Sequence, residues 1–106
     1  MQIIRSQKFK EELVSILEYI AKDKITSALQ FRKKLNESLK SLSNFAFKYR
    51  KSLYFNDENI RDMTFYGYTI VYEVNSEQDN IEVLSIFNQN KKIVVDGYRA
   101  FLDIEA

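Results

Sequence analysis

The chain has 106 residues, of which 45% are apolar and 29% are charged, and its formal net charge is +1. This composition argues against a disordered chain, and the length suits one domain spanning residues 1–106. Cysteine and histidine are both absent, which excludes disulfides, thiolate metal sites and the Ser-His-Asp and Cys-His forms of nucleophilic catalysis. No acidic pair stands out for a site built from carboxylates alone. We therefore predict no metal, no cofactor and no catalytic residue.

Membrane and export signals are missing from the sequence. No apolar run approaches the ~18–20 residues that span a bilayer, and the first residues lack the apolar core and small-residue cleavage site of a signal peptide. We expect a cytoplasmic protein with no membrane partner.

Charge is distributed unevenly along the chain. Residues 1–55 carry 12 basic and 5 acidic side chains, whereas residues 56–106 carry 4 and 10. Such asymmetry fits a basic face that meets nucleic acid or an acidic protein. The simpler interpretation, which we favour, is that lysines solubilise the outer surface of two helices.

The first elements are a short strand and an amphipathic helix. Met1–Arg5 is an apolar segment suited to the edge of a sheet, and Ser6 offers an oxygen for an N-cap. The helix is predicted from about Gln7 to Ala21. Its apolar residues recur with helical spacing at Phe9, Leu13, Ile16, Leu17 and Ile20.

A second helix is predicted to reach about Ser43, with Asp23 or Thr26 as its cap. Its apolar side consists of Ala28, Phe31, Leu35, Leu39 and Leu42. Because the connection is so short, the two helices form an antiparallel hairpin.

The segment of residues 44–59 mixes aromatic and basic side chains. These are Phe45, Phe47, Tyr49, Tyr54 and Phe55, interleaved with Lys48, Arg50 and Lys51. Such a mixture can stack on bases and neutralise phosphates. The interpretation that we favour is structural: an irregular strand that tucks its aromatic side chains under the helix hairpin.

Three consecutive strands are predicted next, at Ile60–Tyr66, Tyr68–Val74 and Ile81–Phe87, with a turn at Gly67. β-Branched and aromatic residues dominate these segments, and the middle one alternates with the period of two that a strand requires.

Residues 93–106 return to helical spacing, with Tyr98, Phe101 and Leu102 on one side. This short terminal helix either completes the core or contacts a partner.

The predicted fold class is therefore α+β: a short N-terminal strand and an antiparallel helix hairpin packed on an antiparallel sheet, with a short C-terminal helix. This order resembles the RelE/ParE superfamily of bacterial toxins, and most of all its ParE branch. The residues that carry the resemblance are the helix-hairpin run LEYIAKDKITSALQFRKKLNESLKSL, Arg61 in DENIRDM, and GYTIVYEV followed by IEVLSIFNQNK. The tail of residues 93–106 extends beyond the part that matches.

The resemblance implies the toxin of a type II toxin–antitoxin system, neutralised by an antitoxin that wraps around it. In the ParE branch the usual target is DNA gyrase, which the toxin traps on broken DNA. In the RelE branch the same fold cleaves messenger RNA on the ribosome. Candidate contacts to the target or to phosphate are Arg61, Lys48, Arg50, Lys51, Asn88, Lys91 and Lys92, and candidate antitoxin contacts are Tyr98, Phe101 and Leu102.

Two positions bear on the choice between these activities. Asn88 stands where a histidine is common in the superfamily, and an amide cannot exchange a proton near neutral pH. This weakens the nuclease alternative, in which Arg61 acts with Lys48, Arg50, Lys51 or Lys91.

Arg61 itself has two interpretations. It is either an anchor for phosphate or a partner, or a structural residue paired with Asp62, Asp57 or Glu73. We expect a toxin that acts by binding gyrase. The alternatives are a ribosome-dependent messenger RNA endonuclease and a non-toxic interaction domain of the same fold.

Overall fold

The structure is a computed structural model that describes residues 1–88. The predicted C-terminal helix, with Tyr98, Phe101 and Leu102, lies outside the described residues, as do Lys91 and Lys92. In the described part, two helices pack on one face of a five-stranded sheet. This arrangement confirms the predicted α+β class.

The N-terminal elements agree closely with the sequence pattern. Strand β1 spans Gln2–Arg5, helix α1 spans Gln7–Asp23 and helix α2 spans Ile25–Ser41. Ser6 is the N-cap of α1, as predicted, since its Oγ accepts the Phe9 N–H at 3.0 Å. The cap predicted for α2 is wrong: Lys24 is the residue between the helices, and its side chain makes no capping bond. Asp23 instead ends α1, and Thr26 lies inside the first turn of α2.

The strand order of the sheet is β1-β5-β4-β3-β2. The later strands are β2 at Arg50–Lys51, β3 at Ile60–Phe65, β4 at Tyr68–Asn75 and β5 at Asn80–Asn88. Strands β3, β4 and β5 form the predicted antiparallel meander. The sheet as a whole is mixed, because β1 pairs with β5 in parallel. Both helices and three strands separate β1 from β5 in sequence, so no hairpin dictates their relative direction.

A two-residue turn joins β3 to β4. Tyr66 and Gly67 both have positive φ, 45° and 84°, which is the conformation of the primed turns that suit a twisted hairpin. Glycine adopts this conformation without steric cost, as the sequence predicts for Gly67. Tyr66 does so as a large aromatic residue, which is uncommon.

The core lies between the helices and the sheet face that they cover. Phe9 from α1 and Leu35 and Leu39 from α2 are fully buried against Ile70 and Tyr72 of β4. Removing each large side chain from water contributes about 1.5–3 kcal/mol. We call the opposite side of the sheet the open face; it carries the alternate residues of each strand.

A β-bulge in β5 is tied to the start of α1. Val71 is opposite Ser85 whereas Tyr72 is opposite Val83, so Leu84 is the extra residue. The Ser6 hydroxyl donates to the Leu84 carbonyl at 2.9 Å. Further along α1, Glu12 Oε1 accepts the Ser85 hydroxyl at 2.8 Å and the Ile86 N–H at 3.0 Å. These bonds fix the position of α1 along the sheet.

Candidate functional site

The structure gathers four of the basic candidates at the β2–β3 edge of the sheet. Arg50 is opposite Asp62 and Lys51 is opposite Arg61, and Lys48 precedes this pair of strands. Asn88 is separate from them, since it pairs with Tyr68 at the other end of β4. The structure thus brings Lys48, Arg50, Lys51 and Arg61 together and leaves Asn88 apart from them.

Arg61 is bound on several sides by the segments next to it. Its Nη1 donates to the Tyr49 carbonyl at 3.0 Å and its Nε donates to the Glu58 carbonyl at 2.9 Å. Nη2 lies 3.7 Å from the Glu58 carboxylate, and the guanidinium lies 4.8 Å from the ring centroid of Phe47. The side chain is only 17% exposed. Arg61 thus acts as a structural tie, through Glu58 rather than through the acidic partners that the sequence suggested.

Tyr72 holds the same segment from inside the core. Its hydroxyl donates to the Ala46 carbonyl at 2.7 Å. Burial raises the pKa of Tyr72 to about 12, an effect that the nearby Arg61 charge partly opposes. The phenol therefore stays protonated and keeps donating throughout the neutral range. Tyr72 and Arg61 together fix residues 46–49 against the sheet.

The segment that Arg61 and Tyr72 hold against the sheet carries exposed aromatic and basic side chains. Phe45 is 63% exposed and Phe47 is 47% exposed, and the cations of Lys48 and Arg50 are also exposed. We call Phe45, Phe47, Lys48 and Arg50 the β2 rim. The expectation that the aromatic residues tuck under the helices is wrong for these two phenylalanines, because Ala46 and Tyr49 fill the space next to the core instead.

Tyr54 also departs from that expectation, since it packs on the open face. Its ring meets Phe87 edge-on at 5.4 Å between centroids. Burial, and then the charge of Asp62, raise the pKa of Tyr54. Phe55 is exposed. The loop after β2 therefore crosses the side of the sheet that the helices do not cover.

Asp62 lies beneath this loop and is a buried charge that the sequence did not single out. Its Oδ2 accepts the Leu53 N–H at 2.9 Å and lies 3.9 Å from Arg50 Nη2. Within residues 1–88, Oδ1 has no hydrogen-bond partner. The signal that was available is the alternation of β3, which places Asp62 on the face opposite Met63.

A groove runs between α2 and the outer edge of β3. Its volume is about 550 Å³, and its walls are Lys34, Glu37, Ser38, Ser41, Thr64, Phe65 and Tyr66. Strand β2 pairs only with Arg61 and Asp62, so no described strand covers the rest of the β3 edge. We call this the α2 groove. The sequence did not predict the α2 groove, because the groove depends on β2 being too short to cover the rest of the β3 edge.

Comparison with known proteins decides the family. The model of ParE toxins of type II toxin–antitoxin systems, parDE, matches residues 3–93. The chain belongs to the ParE toxin family. A solved structure described as a chromosomal ParDE toxin–antitoxin system from P. aeruginosa has a similar fold, with a TM-score of 0.66 and 19% identity over 83% of this chain and 95% of that chain. No curated protein gives a significant match.

The described part of this ParE toxin contains neither a metal-binding group nor a membrane-spanning helix. Among residues 1–88 there is no group of three acidic, histidine or cysteine side chains placed to hold a metal ion. No helix in the same part of the chain is long and apolar enough to cross a membrane.

Replacing Arg61 tests its role as a structural tie. We expect Arg61→Ala to lower the free energy of unfolding by about 1.5–3 kcal/mol, the range for hydrogen bonds made by a charged group. Arg61→Lys should recover less than half of this loss, because the single nitrogen of an ammonium cannot reach the separate positions that Nε, Nη1 and Nη2 of the guanidinium occupy. The measurement is the urea midpoint at constant slope.

Lys48→Ala is the matched control, since it removes an exposed cation from the same segment. Its effect should stay within about 0.5 kcal/mol. Equal stability of the Arg61→Ala variant and the wild type would show that these contacts do not hold the segment.

Proposed function

We propose that this ParE toxin stops bacterial growth by binding DNA gyrase, without catalysis of its own, and that a cognate antitoxin neutralises it. Family membership establishes the toxin class. The observation that supports a binding mechanism is the β2 rim. Its exposed aromatic rings and cations belong to a segment that Arg61 and Tyr72 hold against the sheet. A gyrase target implies action in the cytoplasm.

The rim has the composition of a protein-binding hot spot. Aromatic and arginine side chains contribute most to such sites, particularly when the free protein already holds them in place. Phe47 is positioned by the Arg61 guanidinium beneath it, and Phe45 follows directly from α2 and its terminal turn. Binding therefore requires little further ordering of the backbone, so the entropic cost of binding is small.

The chemistry near the rim favours binding over RNA cleavage. Cleavage through a 2′-hydroxyl needs a group that exchanges protons near neutral pH. The sequence has no histidine, and the phenols of Tyr54 and Tyr72 have raised pKa values.

The Asp62 carboxyl group, 3.9 Å from Arg50, is buried and accepts the Leu53 N–H. The exposed Glu58 carboxylate is paired with Lys51 and Arg61. Lysine and arginine side chains bind phosphate but remain protonated.

A gyrase assay tests this proposal directly. With purified toxin, supercoiling should fall and cleaved DNA should accumulate. The double variant Phe47→Ala/Lys48→Ala should lose potency by roughly tenfold or more, as when an aromatic anchor is removed from an interface. Both side chains are exposed, and the contact between Phe47 and Arg61 is worth only about 0.5–1 kcal/mol, so the variant should stay folded with a small change in urea midpoint.

The matched control is Tyr19→Ala/Lys10→Ala, which removes an exposed aromatic residue and a cation from α1. It should retain full potency. Absence of trapped DNA with a folded, growth-inhibiting toxin would contradict the gyrase target, and cleavage of ribosome-bound messenger RNA by the same sample would establish the nuclease alternative.

The α2 groove is the surface that we assign to the antitoxin. Ser52 N donates to the Ile60 carbonyl on the outer side of β3, and backbone groups alternate along a strand, so Thr64 also turns its N–H and C=O outward. An added strand can pair with this edge while its side chains enter the groove. Tyr66, 68% exposed and T-stacked on Phe65, stands at one end as an apolar anchor.

Blocking the α2 groove should prevent neutralisation by the antitoxin and leave the toxicity unchanged. Thr64→Pro removes the outward N–H, which proline tolerates on an edge strand, and Ser41→Arg fills the groove from α2. Each variant should still arrest growth, but co-expressed antitoxin from the adjacent gene should no longer restore it. Co-purification of the two proteins should fall in parallel.

Gln30→Arg places an arginine at an exposed position of α2 outside the groove, and this variant should remain neutralised. Full rescue of both groove variants would place the antitoxin elsewhere on the toxin.

A further inference from the structure

Residues 52–56, which we call the β2 loop, expose two large apolar side chains to solvent. Leu53 is 69% exposed and Phe55 is 48% exposed. The residues that alternate with them face the sheet, since Ser52 is buried and the Tyr54 ring packs against Phe87. The loop thus alternates as a strand does, with one side on the sheet and the other side toward solvent.

Three successive backbone donors hold the β2 loop in place. The Ser52 N–H donates to the Ile60 carbonyl at 2.7 Å, and the Leu53 N–H donates to Asp62 Oδ2 at 2.9 Å. The Tyr54 N–H donates to Ser52 Oγ at 3.1 Å. A loop that is ordered before its partner arrives loses little entropy on binding. The two exposed apolar side chains therefore belong to a surface that is already ordered.

The β2 loop also forms a cavity of about 470 Å³, a volume within the range of binding pockets. Its lining consists of Lys51, Ser52, Leu53, Tyr54, Phe55 and Asn56. The Lys51 side chain is 40% exposed, and its ammonium lies 3.4 Å from the exposed carboxylate of Glu58. An exposed pair of this kind contributes little, so the ammonium is available to a second carboxylate. The cavity combines apolar walls with one cation.

Asp62 joins the β2 loop to the β2 rim. Its Oδ2 accepts the Leu53 N–H and lies 3.9 Å from Nη2 of Arg50, which is a residue of the rim. Because one buried carboxylate contacts both, the loop and the rim form a continuous surface around strand β2. Four of its side chains are large, apolar and exposed: Phe45, Phe47, Leu53 and Phe55. Clustered exposed apolar side chains are typical of protein-binding sites.

We propose that the β2 loop is the second half of the target-binding surface, and that it binds an apolar side chain of the protein target with a carboxylate close by. The apolar side chain lies against Leu53 and Phe55, and the carboxylate pairs with Lys51. This inference rests on the proposed function, because the target is the protein that the β2 rim binds. The target thus contacts the toxin on both sides of β2.

Charge favours a protein segment over nucleic acid as the occupant. The cavity is lined by a single cation, Lys51, whereas proteins that bind a nucleic-acid backbone neutralise several phosphates. Glu58 beside it is 76% exposed, and its negative charge repels a phosphate chain. The antitoxin is assigned to another place, because the α2 groove shares no lining residue with this cavity.

A growth-arrest titration tests the apolar contact. The full-length toxin is induced in a bacterial host, and its level at half-maximal arrest is measured by immunoblot. Leu53→Ser/Phe55→Ser should require roughly tenfold more toxin, as when the anchors of an interface are removed. The matched control is Val14→Ser/Leu29→Ser, which changes two helix residues that are each 53% exposed and should retain full potency. The urea midpoints of both purified variants establish that they are folded.

Charge reversal tests the acidic partner in the same assay. Lys51→Glu places a negative charge where the target presents a carboxylate, so it should also lower potency severalfold. Lys10→Glu, at an exposed position of α1, is its control and should not.

Full potency of either β2-loop variant, or an equal loss of potency in its control, would overturn the proposal. A variant that still arrests growth but escapes co-expressed antitoxin would overturn it as well, since the loop would then contact the antitoxin. Growth arrest does not depend on which target the toxin has. The gyrase proposal therefore fails separately, if the wild-type toxin arrests growth without trapping cleaved DNA.

Discussion

The contact between Arg61 and the segment before β2 is the constraint on which the position of the β2 rim depends. Residues 46–49 have no regular secondary structure, so their position comes from donors placed by the sheet. Arg61 reaches Tyr49 and Glu58, and Tyr72 reaches Ala46 from within the core. Because these donors are fixed on β3 and β4, the aromatic residues beside them can be exposed and still be held in place.

Charge separates the two sides of this ParE toxin. Helix α2 carries Arg32, Lys33, Lys34 and Lys40 with Glu37 as its only acid, whereas the open face of the sheet carries Asp62, Glu73 and Glu82. The β2 rim therefore presents cations, whereas Glu73 and Glu82 give the open face partly exposed negative charge. The two sides of this small domain thus differ in the sign of the charge that they present to solvent.

Periodicity in the sequence predicted the helices and the meander, because apolar spacing and turn residues are local properties. Prediction failed where the position of a residue depends on distant contacts. The direction of β1, the exposure of Phe45 and Phe47, and the open-face position of Tyr54 depend on partners far along the chain. Arg61 was identified as a residue of interest, but its partners Tyr49 and Glu58 became apparent only from the fold. The sequence suggests Asp62 only as a partner for Arg61, because the alternation of β3 places Asp62 on the face opposite Met63 but does not show that a loop buries it there.

We propose that this toxin stops DNA synthesis through gyrase by binding alone. The most direct test is the order in which macromolecular synthesis stops after the toxin is induced in a bacterial host, measured by incorporation of labelled thymidine and labelled methionine in the same culture. If the toxin acts on gyrase, DNA synthesis stops first while protein synthesis continues. If protein synthesis stops first, with shortened messenger RNA, the toxin acts on the ribosome and gyrase is not its target.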